Sequence, residues 1–194
     1  PAAPARPGGR AAGSGAPGTR IDGAAQNGYD RGAAHRAAMA QGRGDGGMIR
    51  ELVPKYYLEQ NNNCAEALLH AADEALSLNL PPEAFRLVAG YGSGMGCGLT
   101  CGAISCAVAV VSQLAVGARA HETPGFKRAC AGCVAALREA LGGADCREIA
   151  PRLKTRETRC LRTVELAADA LEAYLKENGL LSVSYTHLRA HETE

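Results

Sequence analysis

Tryptophan is absent, and Phe, Tyr and Trp together make up only 4% of the 194 residues. With so few aromatics, no period-2 alternation and no Asn-Gly hairpin turn in the central region, strand signals are almost missing. An excess of charge of either sign is missing too. There are 21 Lys+Arg against 20 Asp+Glu, a formal net charge of +1. That balance excludes the basic footprint of a sequence-independent nucleic-acid binder. One uncharged run only touches the lower limit for a membrane span. The longest uncharged stretch, 101–118, has 18 residues with Gln113 and two serines inside it, which reads as a buried central helix. No apolar secretion segment appears at the start of the chain or at Met48, so the expectation is a cytoplasmic protein with reduced thiols. The length allows at most one ordinary domain, perhaps tailed.

What is abundant is glycine, at 24 residues, and cysteine, at eight. The glycine is uneven. Residues 1–47 hold 13 Ala, 12 Gly and 4 Pro, with six Arg, no Lys and no Glu. A segment with Ile21 as its sole large aliphatic cannot offset chain entropy and is expected to be disordered. It reads either as upstream sequence translated in frame, with Met48 the true start, or as a natural arm. At the other end, Val183-Ser184-Tyr185-Thr186-His187-Leu188-Arg189-Ala190-His191-Glu192-Thr193 resembles one reading frame of a sequencing adapter. Residues 182–194 are therefore set aside from fold reasoning as non-native. The domain is then 48–181, with a formal charge of −1.

Within it the pattern is helical throughout. The periodicity predicts a short amphipathic stretch over 49–60, interrupted early by Pro54, and helices over 63–78, 82–91, 101–118, 124–142, 146–153 and 157–178. They assemble as an all-α compact bundle of five or six helices around the uncharged 101–118 segment. Asn63 with Glu66 spells a capping box. Pro81-Pro82 suits a helix start. Gly90, Gly92, Gly94, Gly96 and Gly98 mark a tight loop, since no helix interior tolerates that density.

Four of the eight cysteines fall at predicted helix starts. Cys64 follows Asn63, Cys101 follows Thr100, Cys146 follows Asp145, and Cys160 follows Thr158-Arg159. Unpaired N–H groups and the helix dipole favour thiolate there. Thiolate is the form that attacks disulfides or ligates iron. Cys106 reads as a small buried hydrophobe. Cys97 sits in the glycine loop. Cys130-Ala131-Gly132-Cys133 spells CxxC but lacks the strand and helix start of a thioredoxin-like motif, and lacks a second CxxC for zinc. It stays a secondary thiol pair. His70 reads as a surface or boundary residue and His121 as part of a polar loop. The Tyr56-Tyr57 pair reads as packing.

Asn63-Cys64-Ala65-Glu66-Ala67, the glycine run into Cys101-Gly102-Ala103, Asp145-Cys146-Arg147-Glu148, and Cys160 before an Ala/Leu-rich helix together resemble the C-GCAxxG-C-C family, whose members are described as redox-active. The likeness covers 48–178. It maps the family's four cysteines onto Cys64, Cys101, Cys146 and Cys160, and places Cys106 where the family's motif ends in Gly. It implies redox function and a link to membrane-transporter gene neighbourhoods. Three readings stay open. The four thiols hold an iron–sulfur cluster for electron transfer or sensing, with Gly98, Gly102 and Ala103 giving a cofactor close approach. Alternatively they cycle as a cofactor-free thiol–disulfide protein, or they close a structural zinc site. No CxxCH occurs, so covalent haem is not indicated. The electron-transfer partner is unidentified, and neither nucleic acid nor membrane insertion is expected.

Overall fold

The computed structural model describes residues 49–181. The arm at 1–47, the start at Met48 and the adapter-like 182–194 lie outside the described residues. The described residues form seven α-helices: α1 (Ile49–Pro54), α2 (Cys64–Leu76), α3 (Pro82–Ala89), α4 (Gly102–Ala115), α5 (Phe126–Leu141), α6 (Cys146–Leu153) and α7 (Leu161–Glu177). The expected count of five or six is slightly low, because the amphipathic stretch at 49–60 begins with a helix of its own, α1. Among the described residues there is no strand, only isolated bridges at Thr100–Asp145 and Thr155–Arg159. No described helix is long and apolar enough to cross a membrane.

The bundle is a ring in which α2 packs on α4, α4 on α5, and α5 on α7, with α1 closing the ring between α7 and α2. Helix α4 also touches α7, so the uncharged helix sits at the centre as its composition predicts. Its buried side is made by Ile104, Cys106, Ala107, Val110 and Val111. It is not enclosed on all sides, since Gln113 is exposed. Val164, Leu171 and Leu175 form the fully buried stripe of α7. Burying such an aliphatic side chain contributes roughly 1.5–3 kcal/mol.

One buried carboxylate escaped the sequence pattern. Glu172 of α7 accepts the Ile49 N–H at 3.1 Å, satisfying an orphan donor at the start of α1. On α5, Gly132 leaves room for Tyr174. A Cβ there would stand 2.9 Å from the phenol oxygen, which donates to the Ala129 carbonyl at 2.7 Å. The glycine inside CxxC is thereby explained by packing.

His70 is half-buried between two rings. Phe85 stacks on it at 3.8 Å and Tyr56 at 4.9 Å. Desolvation pushes its pKa down against the pull of Asp73 and Glu66. The folded state thus prefers neutral imidazole, and the unfolded chain binds more protons. Stability is therefore full above the unfolded pKa of about 6.5 and falls as pH drops below it. Thermal melts of His70→Phe, which keeps the stack, should lose less Tm between pH 7 and pH 5 than the wild type. Equal losses would show that His70 does not set the slope.

Candidate functional site

The four cysteines at expected helix starts come from four different elements. Cys64 opens α2 behind Asn63, whose side chain accepts the N–H groups of Ala65 and Glu66 at 2.9 and 3.2 Å. Glu66 reaches back to the Asn63 N–H, completing the capping box. The Asn63 amide also donates to the Ala89 carbonyl at 2.9 Å, tying α2 to the end of α3. Asn63→Ala should cost about 1–2 kcal/mol in denaturant unfolding, since the cap and the tie go together. A loss under a few tenths would mean the cap is idle.

Cys146 opens α6 behind Asp145. Cys101 and Cys160 stand earlier in their helices than expected, as the N-caps of α4 and α7 themselves. The helix expected from 157 begins only at Leu161. Thr155 Oγ1 accepts the Thr158 N–H, the Thr155 N–H donates to the Arg159 carbonyl, and Arg159 takes a left-handed φ of 53°. That closed turn replaces the first helical turn.

Cross-chain ties set the thiols beside one another. The Cys101 N–H donates to the Ala144 carbonyl at 2.8 Å, and the Cys146 N–H donates to the Leu99 carbonyl at 2.7 Å. This reciprocal pair is the Thr100–Asp145 bridge, and it pins the start of α4 to the start of α6. The Cys160 N–H donates to the Tyr57 hydroxyl at 2.9 Å. Arg159 donates to the Tyr57 carbonyl and the Asn61 side chain, and lies over the Tyr57 ring at 4.7 Å. Cys160 is thus tied to the turn that follows α1.

The four thiols are close enough for their charges to act on one another. Cys64 senses Cys160 and Cys146, Cys101 senses Cys64 and Cys146, and Cys146 senses Cys160. Glycines make the fit tight. A Cβ at Gly102 would stand 2.8 Å from the Cys64 sulfur and 2.7 Å from the Tyr91 carbonyl. One at Gly94 would stand 2.8 Å from Cys146 Cβ. Ala103 is fully buried. Gly98 faces Arg147, whose Nε donates to the Gly98 carbonyl at 3.1 Å.

The electrostatics reverse one expectation. Helix starts were expected to favour thiolate, yet burial dominates. It pushes Cys64 up, Cys101 up to about 12, and Cys146 up. Backbone N–H groups oppose it, from Ser93 at Cys64 and from Ala103 and Ile104 at Cys101, without overcoming it. Lys154 does the same at Cys146. The amides are aimed as the pattern predicts, but desolvation is larger. Tyr57 is likewise pushed up to about 12, chiefly by burial, and stays neutral.

The other thiols sort differently. Cys106 is fully buried on α4, near enough to Cys64 to sense its charge, and burial pushes its pKa far up. Cys97 is exposed in the turn Gly94–Gly98, with its thiol on the Gly94 carbonyl at 3.4 Å. Cys130 and Cys133 lie well inside α5. Both are shifted upward by burial, Cys133 to about 12, and both sit near Tyr174. No helix start supports them. Among the described residues, no group of three or more His, Cys, Asp and Glu is placed to hold a single metal ion. The sequence reading missed Tyr57, Ser93 and Gly94 as parts of this site. Only the glycine run hinted at the last.

The sequence model of a family described as "Putative redox-active protein (C_GCAxxG_C_C)" matches residues 62–174, a span that contains all four of these cysteines. No curated protein and no solved structure matches the chain.

Proposed function

The chain belongs to the C_GCAxxG_C_C family, and on that premise we propose that it is a redox protein whose Cys64, Cys101, Cys146 and Cys160 hold an iron–sulfur cluster. The observation that carries this is the convergence of four thiols from four separate elements, lined by glycines and faced by backbone N–H groups. The donor set fits. Four cysteines are the usual complement of a [2Fe–2S] or [4Fe–4S] cluster, and N–H groups aimed at sulfur are a normal part of its surroundings. Because a cluster spreads its ligands over several irons, the thiols need not converge on one point. A single zinc ion would require them to, which makes the structural zinc reading the poorer one. When bound, a cluster supplies one-electron transfer.

The chain's own part is to bring the thiols together, with Cys64 and Cys101 buried away from water and Cys146 and Cys160 partly open to it. Buried thiols with raised pKa values are protonated at neutral pH, so ligation must release protons and be favoured by higher pH. The Ser93, Ala103 and Ile104 N–H groups then face the resulting sulfur charge.

A cofactor-free thiol–disulfide reading keeps one supporting observation. Cys146 and Cys160 are neighbours and only half-buried, unlike Cys64 and Cys101. The full chain, purified without oxygen, should be brown and contain iron and acid-labile sulfide. A colourless, iron-free protein in which Cys146 and Cys160 oxidise together would transfer the assignment to that second reading.

A further inference from the structure

The formal charge of the domain conceals a concentration. Residues 146–162 carry six Lys and Arg (Arg147, Arg152, Lys154, Arg156, Arg159, Arg162) against Glu148 and Glu157. This run begins at Cys146 and passes through Cys160. Among the described residues, Arg162 is the one cation of the six with a carboxylate partner, Glu165 at 3.5 Å. Arg147 is spent on the Gly98 carbonyl, and Arg152 on the carbonyls of Leu141 and Gly142 at the end of α5.

A groove of about 530 Å³ opens at the start of this run. Its apolar side is formed by Ala150 and Pro151. Arg147, Lys154 and Arg156 supply the charge, and Cys146 supplies a thiol. No acidic residue lines it. Lys154 and Cys146 line the same groove. The groove is shallow and open to solvent, so charge rather than enclosure must select its ligand. An apolar wall, three cations and one reachable thiol select a ligand with carboxylates at its ends and a sulfur between them.

We propose that this groove binds a small carboxylate-bearing disulfide and presents it to Cys146. The Cys146 sulfur attacks one sulfur of the bound disulfide. A Cys146–ligand S–S bond forms, the ligand's own S–S bond breaks, and the released half leaves as a thiolate. That thiolate takes up the proton the Cys146 thiol has lost, so Cys146 is oxidised as half of the small disulfide is reduced. This rests on the redox reading only in taking the four-thiol site in its cluster-free form.

The test uses the reduced, iron-free full chain and three probes: oxidised glutathione, neutral hydroxyethyl disulfide and cationic cystamine. Adducts are mapped by peptide mass spectrometry, and each rate is divided by that of the same disulfide with free 2-mercaptoethanol. At low salt, Cys146 should react about tenfold faster with oxidised glutathione than with cystamine, and the gap should shrink as salt rises. Lys154→Glu with Arg156→Glu, both exposed, should close or invert the gap at unchanged helicity. The proposal is overturned if cystamine matches glutathione, if the double variant keeps the preference, or if adducts map away from Cys146. Iron and sulfide assays on separate anaerobic preparations keep the two readings apart. An iron-free result there leaves the groove standing, and a missing charge preference leaves the cluster standing.

Discussion

Cys64→Ser, Cys101→Ser, Cys146→Ser and Cys160→Ser should each strip the anaerobically purified chain of colour, with iron content falling by about tenfold or more. Cys130→Ser and Cys133→Ser should keep theirs. The contrast follows from position. The first four thiols stand at the starts of α2, α4, α6 and α7, whereas the CxxC pair stands mid-helix against Tyr174. Serine preserves shape but offers iron a harder, far less acidic donor. Of the four, Cys101→Ser should be the most damaging, because its side chain is 3% exposed and faced by two N–H groups. Iron and sulfide analysis with visible absorption reads the result. Full retention of iron in any of the four would remove that residue from the ligand set. Loss in the CxxC variants alone would move the site to α5.

Gly94→Ala should unfold much of the population near physiological temperature, although it adds a single methyl group. Gly94 has φ +62°, where an alanine costs about 1–2 kcal/mol. Its Cβ would lie 2.4 Å from the Leu99 carbonyl oxygen and 2.7 Å from the Leu99 nitrogen. Those are backbone atoms, and the Leu99 carbonyl also accepts the Cys146 N–H, so relief must break the Thr100–Asp145 bridge. Overpacking of this kind adds about 1–3 kcal/mol. Gly96→Ala is the control. Its φ is +72°, but nothing lies within 4 Å, so only the conformational cost remains. Denaturant midpoints should therefore separate the two variants clearly. Equal midpoints would show that the Leu99 contact yields without cost.

Local chemistry was legible in the sequence wherever it decides the outcome locally. Asn63 and Glu66 form the capping box that their spacing announces. Pro82 starts α3, the glycine run makes a left-handed turn, and the absence of charge in 102–115 marks the central helix. The start of α7 was not legible, because the Thr155–Arg159 turn competes with the first helical turn through side-chain and left-handed backbone geometry that periodicity does not register. The direction of the thiol shifts was also hidden. Helix starts can be read from caps, but burial depends on which elements close over the sulfur, and those come from across the chain. The meeting of Cys101 with Cys146 rests on two hydrogen bonds between segments more than 40 residues apart, which no local pattern encodes. The basic run at 146–162 was visible all along but vanished in a whole-domain charge near zero.

The placement of Cys160 at the N-cap of the last helix has a consequence for synthesis on the ribosome. Cys64, Cys101 and Cys146 are translated well before it, and the α1 turn cannot receive its Tyr57 tie until Cys160 has left the exit tunnel. The nascent chain therefore carries seven thiols before the eighth arrives. A chain truncated before Cys160 would carry seven thiols and lack both the Cys160 N-cap of α7 and its tie to Tyr57.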